Sequence, residues 1–229
     1  MSVSYRREHD AFRRFIQGKP IPLGDLVVLF FKSLLGLFEM AIRYIPGGIG
    51  FKLRYYYYKL HFKEMGKNVL IDTGVILNGT RNISLADYVW VDTNCRIDAI
   101  LGEVSIGRRV HVAPNALIFA REPVTIGDYV GIGGFSRIYS STEVPKNGKH
   151  ACGPMVPEEL RCVRYEPINI GSYCLVGTGA VILPGSELGE GAVVGANSVL
   201  SKPVEPWTIV GGVPAKPIAK RDPVPPTTI

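Results

Sequence analysis

Aliphatic residues return every sixth position along most of the chain, most clearly at Ile170, Val176, Ile182, Leu188, Val194 and Leu200. A period of six is neither the 3.6 of a helix nor a two-residue alternation closed by hairpin turns, so it predicts a coil built from short sides of this length. Three such sides close a triangular turn. The frame continues upstream through Ile126, Ile132 and Ile138, and through Ile106, Val112 and Ile118, with a less regular start at Ile71, Leu77, Leu85, Val91 and Ile97. Four residues after each aliphatic stands a small or β-branched residue, such as Val110, Ala116, Val130, Ser136, Cys174, Ala180, Ser186, Ala192 or Ser198. Both positions are predicted to point inward, the aliphatic filling the prism and the small residue its tighter neighbouring site. Stacked parallel coils then pair each strand above and below.

The N-terminal part follows a different period. Leu23, Leu26, Val27, Phe30, Leu34, Leu37, Phe38, Ala41 and Ile45 recur at helical spacing on one wide face, with Asp25, Lys32, Glu39 and Arg43 on the other. This predicts an amphipathic helix ended by Pro46-Gly47-Gly48. An aromatic and basic segment from Phe51 to Phe62 follows. The expected organisation is a helical extension over 1–66, a parallel solenoid over 67–212 with a loop inserted at 140–169, and a tail over 213–229.

The repeated motif of aliphatic, small or acidic, two free positions, small and one free position resembles that of the hexapeptide-repeat acyltransferases over roughly residues 69–220. The resemblance implies an all-β chain, a left-handed parallel β-helix, assembled as a homotrimer that uses acetyl-CoA as acyl donor. The left hand comes from the resemblance alone, since ordinary crossovers favour the right. The family's cofactor contacts fall on Gly177, Thr178, Ala196, Ser201 and Lys202, while Lys216, with Lys220 and Arg221 nearby, would meet the CoA phosphates. Clustered cations suit a phosphorylated nucleotide. Many members carry Trp where this chain has Leu175.

The chemistry is expected where the frame breaks. Between Ile138 and Ile170 the six-residue order is lost in a segment rich in charges and prolines, and long loops on a rigid scaffold are usually functional. Members that acetylate hydroxyls place a general-base His at the position occupied here by Glu143. A hydroxyl needs a base poised near neutral pH, which His supplies and an ordinary carboxylate does not. An amine is the better nucleophile once deprotonated. The stretch Ile138-Tyr139-Ser140-Ser141-Thr142-Glu143 looks like members that N-acylate nucleotide-linked amino sugars. Glu143 would orient or deprotonate the sugar ammonium, with His150 of the same loop as the other candidate base. Either residue could instead be a solvated loop group. Asn115 and Arg121 match the level of the family's acceptor site, although Asn115 also suits a turn.

Net charge separates the two parts of the chain. The total is +6, but Met1–Lys67 holds twelve Lys/Arg against five Asp/Glu, a net of +7, which leaves −1 for the remainder. The basic amphipathic extension has two candidate roles: lying on an anionic membrane surface, or covering the open first coil and packing within the oligomer. Charges at Asp25, Lys32, Glu39 and Arg43 interrupt any run long enough to span a bilayer. No nucleic-acid-binding module is present. The four cysteines lack metal-ligand spacing and the four histidines are scattered, so no metal site is expected. No secretory signal is apparent, and the expected location is cytoplasmic, peripheral to the inner face of the membrane if the extension binds lipid. The expected activity is CoA-dependent acyl transfer to the amine of a nucleotide-linked amino sugar. O-acetylation of a lipid-linked or polymeric glycan and a non-catalytic scaffold are the alternatives.

Overall fold

Every aliphatic of the six-residue frame from Ile71 to Leu200 is buried, none more than 5 % exposed. In the computed structural model, which describes residues 3–225, these side chains fill a left-handed parallel β-helix of about seven turns. The small partners behave as predicted. Val110, Ala116, Ala180 and Ala192 are buried, and the buried hydroxyls of Ser136 and Ser186 donate to Gly133 O and Leu200 O. These two hydroxyls are thereby paired inside the apolar prism.

Three sheets form the sides. Face A stacks Glu64–Met65, Ile83–Leu85, Val104–Ile106, Val124–Ile126, Ile168–Ile170 and Glu187–Leu188. Face B runs from Leu70–Ile71 through Trp90–Val91, His111–Val112, Gly131–Ile132, Leu175–Val176 and Val193–Val194 to Thr208–Gly211. Face C runs from Ile76–Asn78 through Arg96–Asp98, Leu117–Phe119, Arg137–Tyr139 and Val181–Ile182 to Val199–Leu200. Val124 pairs in register with Val104 below and Ile168 above, so the inserted loop leaves the stack without opening it. The strand resumes at Ile168, slightly before the predicted end of the loop. Lys216–Lys220 folds back antiparallel on Thr208–Gly211 and covers the last edge of face B with Lys and Pro, residues that discourage further pairing.

The other end is closed by helices α1 (Val3–Ile16), α2 (Leu23–Tyr44) and α3 (Gly47–Lys59). The predicted break holds, since Pro46 separates α2 from α3. Of the two candidate roles of the extension, covering the first coil falls to α3 and not to the apolar face of α2. Tyr58 and Phe62 join the solenoid core, and Arg54 is fully buried beneath it. The Arg54 guanidinium donates to Ile71 O of the first coil at 2.7 Å and to Ile42 O and Ile45 O at the end of α2 at 3.2 and 2.7 Å. One planar cation thus satisfies carbonyls that both a helix end and a sheet edge leave open.

Candidate functional site

The solenoid positions its candidate residues by corner. At the B–C corner the successive coils place one residue each in the left-handed region: Gly74, Asn94, Asn115, Phe135, Gly179 and Asn197. Asn115, with φ 62°, is therefore a turn residue of this column. Gly177, Thr178 and Ala196 share that corner three levels of stacking higher at most, and Asn197 N donates to Thr178 O at 2.9 Å. A Cβ on Gly177 would stand 2.5 Å from Ala196 N, so glycine is required there by the close approach of the next coil. Lys216 reaches the same corner, since it pairs with Gly211 at the end of the last face B strand.

The C–A corner carries the other group. The loop leaves there at Ser140, whose buried hydroxyl accepts from Arg121 N and Glu122 N at 2.8 and 2.9 Å and donates to Glu122 O. Arg121 sits at this root with its guanidinium over the Phe119 ring. One coil above the root, Gly185 N donates to Pro167 O of the returning loop, and Leu183 N donates to Leu200 O just before Ser201 and Lys202. Arg121, the loop, Ser201 and Lys202 therefore lie along one edge of the prism. Asn115 does not join Arg121, because one side of the triangle separates them.

The inserted loop is itself folded. Ser141–Glu143 pairs antiparallel with Val163–Tyr165, with Glu143 opposite Val163. Arg161 donates from Nη1 to Glu143 Oε1 at 2.8 Å, with only 14 % of the Arg161 side chain and 27 % of the Glu143 side chain exposed. Among the described residues, neither Glu143 Oε2 nor Arg161 Nε, both buried, has a hydrogen-bond partner. His150 is exposed, and its backbone bridges Arg161, with His150 N donating to Leu160 O at 3.0 Å. The loop thus gathers Glu143, Arg161 and the His150 backbone. Arg161 has no distinguishing sequence signal, because its contact depends on how the loop doubles back.

Lys220 and Arg221 depart from the expected cation cluster. Lys220 pairs with Thr208, at the opposite end of its strand from Lys216, and its ammonium donates to Thr208 Oγ1 at 2.8 Å. Arg221 lies over the Trp207 ring and donates to Tyr173 O and Gly191 O at 2.9 and 3.3 Å. Both cations are engaged at the A–B corner, within an aromatic ladder in which Tyr129 stacks on Tyr173 at 5.3 Å and Tyr173 on Trp207 at 6.4 Å. Among the described residues there is no group of three or more His, Cys, Asp or Glu that could hold a metal.

A triangular solenoid of stacked hexapeptide coils, interrupted by one folded loop, defines the architecture of a hexapeptide transferase. Residues 167–202 match the family described as bacterial transferase hexapeptide (six repeats). The dTDP-4-amino-4,6-dideoxy-D-glucose acyltransferase of Escherichia coli is 36% identical over 163 residues, covering 71% of this chain and 84% of that one. The chain belongs to the hexapeptide-repeat transferase family. AntD, an N-acyltransferase from Bacillus cereus solved with dTDP and 3-hydroxybutyryl-CoA, superposes with a TM-score of 0.69 at 26% identity, covering 74% of this chain and 88% of AntD. A hexapeptide-repeat acetyltransferase from Vibrio cholerae, solved with acetyl coenzyme A, shares the fold with a TM-score of 0.57 at 21% identity, covering 93% of this chain and 99% of that one.

Proposed function

We propose that this protein transfers an acyl group, acetyl in the first instance, from acyl-CoA to the amino group of a nucleotide-linked amino sugar. The observation that carries the reading is the state of Glu143, with Oε1 held by Arg161 and Oε2 buried without a partner among the described residues. A buried acceptor oxygen calls for a donor, and a sugar ammonium supplies both donor and opposite charge. The E. coli relative that covers most of this chain is named for an amino-sugar acceptor, and a point mutant of AntD has been solved with dTDP-4-amino-4,6-dideoxyglucose and coenzyme A.

Acetyl-CoA would be held by Gly177, Thr178, Ala196 and Lys216 on one edge and by Ser201 and Lys202 on the other. The exposed Thr178, Ala196, Lys202 and Lys216 fit such a ligand, whereas Lys220 is already committed to Thr208. The bound thioester supplies an activated acyl group and a thiolate leaving group. Glu143 would hold the acceptor nitrogen and accept the proton it must lose before attack, while Arg161 aligns the carboxylate.

The two sets of candidates occupy different corners of one chain, so a complete site is expected between two copies. This supports a homotrimer in which face C takes part. Face C turns outward Leu117, Phe119, Tyr139, Val181 and Val199, apolar or aromatic and half-buried in the single chain, beside the exposed Arg96 and Arg137. Face A, by contrast, presents Glu64, Ser84, Ser105, Thr125, Asn169 and Glu187. We place the enzyme in surface-glycan synthesis on the cytoplasmic side, with peripheral membrane contact through the N-terminal extension. The test is CoA-thiol release with acetyl-CoA and dTDP-4-amino-4,6-dideoxyglucose, compared with the matching sugar carrying a hydroxyl. Release with the hydroxyl sugar alone, or none with either, overturns the reading.

A further inference from the structure

Helix α2 is seated with its polar stripe inward. Asp25, Lys32, Glu39 and Arg43 are only half-exposed, and Ile42 is its one buried residue. Asp25 faces Arg7 of α1, and Glu39 accepts from Arg43 and from the Tyr58 hydroxyl of α3. The apolar arc is turned outward. Leu26, Phe30, Phe31, Leu34, Leu37 and Phe38 are each between 45 and 61 % exposed. These six alone leave roughly 500 Å² of apolar surface in water, near the upper end of the largest patch on an ordinary monomer. Such an orientation reverses what hydrophobic burial favours within one chain.

The neighbouring elements extend the patch and give it a charge. Phe12 and Phe15 of α1 are 51 and 73 % exposed beside the exposed Arg13 and Arg14, and Lys19 follows in the connecting turn. On α3, exposed Lys52 stands between exposed Ile49 and Tyr56. The extension carries more than the whole net positive charge of the chain, +7 over Met1–Lys67 against a total of +6. Copies meeting through this surface would bring like charges together, whereas an anionic lipid surface matches both the apolar and the cationic parts. No helix among the described residues is long and apolar enough to cross a membrane.

We infer that the outward arc of α2, flanked by the aromatic and basic residues of α1 and α3, docks in the plane of an anionic lipid bilayer. Because Arg54 ties the end of α2 to the first coil, docking fixes the solenoid's helical end at the membrane and points its other end away. The inference specifies the surface behind the membrane contact proposed above and does not depend on which sugar is acylated.

Flotation with vesicles of phosphatidylcholine and phosphatidylglycerol tests it, using the full chain, a Phe30→Glu/Leu34→Glu variant and an Arg13→Glu/Arg14→Glu variant. Each is also measured for oligomeric mass in solution and for acyl transfer to soluble dTDP-4-amino-4,6-dideoxyglucose without lipid. The expected result is tenfold or greater enrichment of the full chain on anionic vesicles over pure phosphatidylcholine. Enrichment should be lost in the first variant and reduced in the second, at unchanged mass. Absence of flotation, equal binding to neutral vesicles, undiminished binding of the first variant, or a lower oligomeric mass in that variant overturns the inference. The soluble transfer assay reports separately on the enzymatic reading, so either proposal can fail alone.

Discussion

Arg161 and Glu143 form an ion pair across the inserted hairpin at 2.8 Å, and the carboxylate is left with one oxygen paired and one open. The pair gives the loop a defined acidic group where hydroxyl-acetylating relatives are expected to carry an imidazole. Its position follows from the root of the loop, where the buried Ser140 hydroxyl anchors the chain to Arg121 and Glu122.

Removing the charge at Glu143 should impair catalysis more than binding. Glu143→Gln keeps the shape and loses the proton acceptor, so kcat is expected to fall about 10²-fold with KM for the nucleotide sugar changing less. Full retention of activity would remove Glu143 from the reaction. Arg161→Met should lower kcat about tenfold by loosening the carboxylate, with Arg161→Lys recovering part of it, as read by steady-state thiol release.

The cysteines should divide sharply in reactivity. Burial pushes the Cys95 and Cys174 thiols up to about 11, while Cys152 is exposed. Reaction with a thiolate-selective reagent at pH 8 is expected to be fast at Cys152 and negligible at Cys95 and Cys174 until the protein is denatured. Because burial raises both thiols above the ordinary thiol range, their stabilising contribution is complete below about pH 9 and declines as pH rises through about 11. A Cys95→Ala/Cys174→Ala chain should therefore lose less stability than the parent between pH 9 and 11, measured by urea unfolding.

Arg54 is the point at which the helical cap and the first coil depend on one side chain. Arg54→Ala would strand the carbonyls of Ile42, Ile45 and Ile71 in a buried site and is expected to cost about 3 kcal/mol or more. Arg54→Lys should recover only part of this, because an ammonium cannot present the same planar set of donors. Thermal melts of the two variants provide the measurement, and an unchanged midpoint for Arg54→Ala would contradict it.

Gly191 makes room for the aromatic ladder. It adopts φ 67°, and a Cβ there would stand 2.1 Å from Trp207 Cε3, in the space through which Trp207 reaches toward Tyr173. Gly191→Ala is expected to cost about 1–3 kcal/mol and to shift tryptophan emission to longer wavelength as the indole is displaced. A Trp90→Phe background isolates the Trp207 signal.

Sequence periodicity reached the scaffold because each coil repeats the same physical requirement. Ile170, Val176 and Ile182 meet identical surroundings in turn, and their burial follows from spacing alone. Other placements were not legible. Lys216 and Lys220 are close in the chain, yet a five-residue strand carries them to opposite ends of face B. Asn115 and Arg121 belong to one coil but to different corners. The amphipathic character of α2 follows from its spacing, while which face turns inward depends on the Asp25, Glu39 and Arg43 contacts.

The sequence by itself determined the solenoid, the break after Ile138, the acidic residue standing in that break and the basic character of the extension. These are properties of order and composition along the chain, repeated often enough to be read without knowing any contact. The tertiary structure decided the pairing of Glu143 with Arg161, the division of the candidate residues between two edges, and the outward turn of the α2 apolar arc. Each depends on groups far apart in sequence that meet only when hairpin, coil and helix are packed, and no local pattern encodes such a meeting.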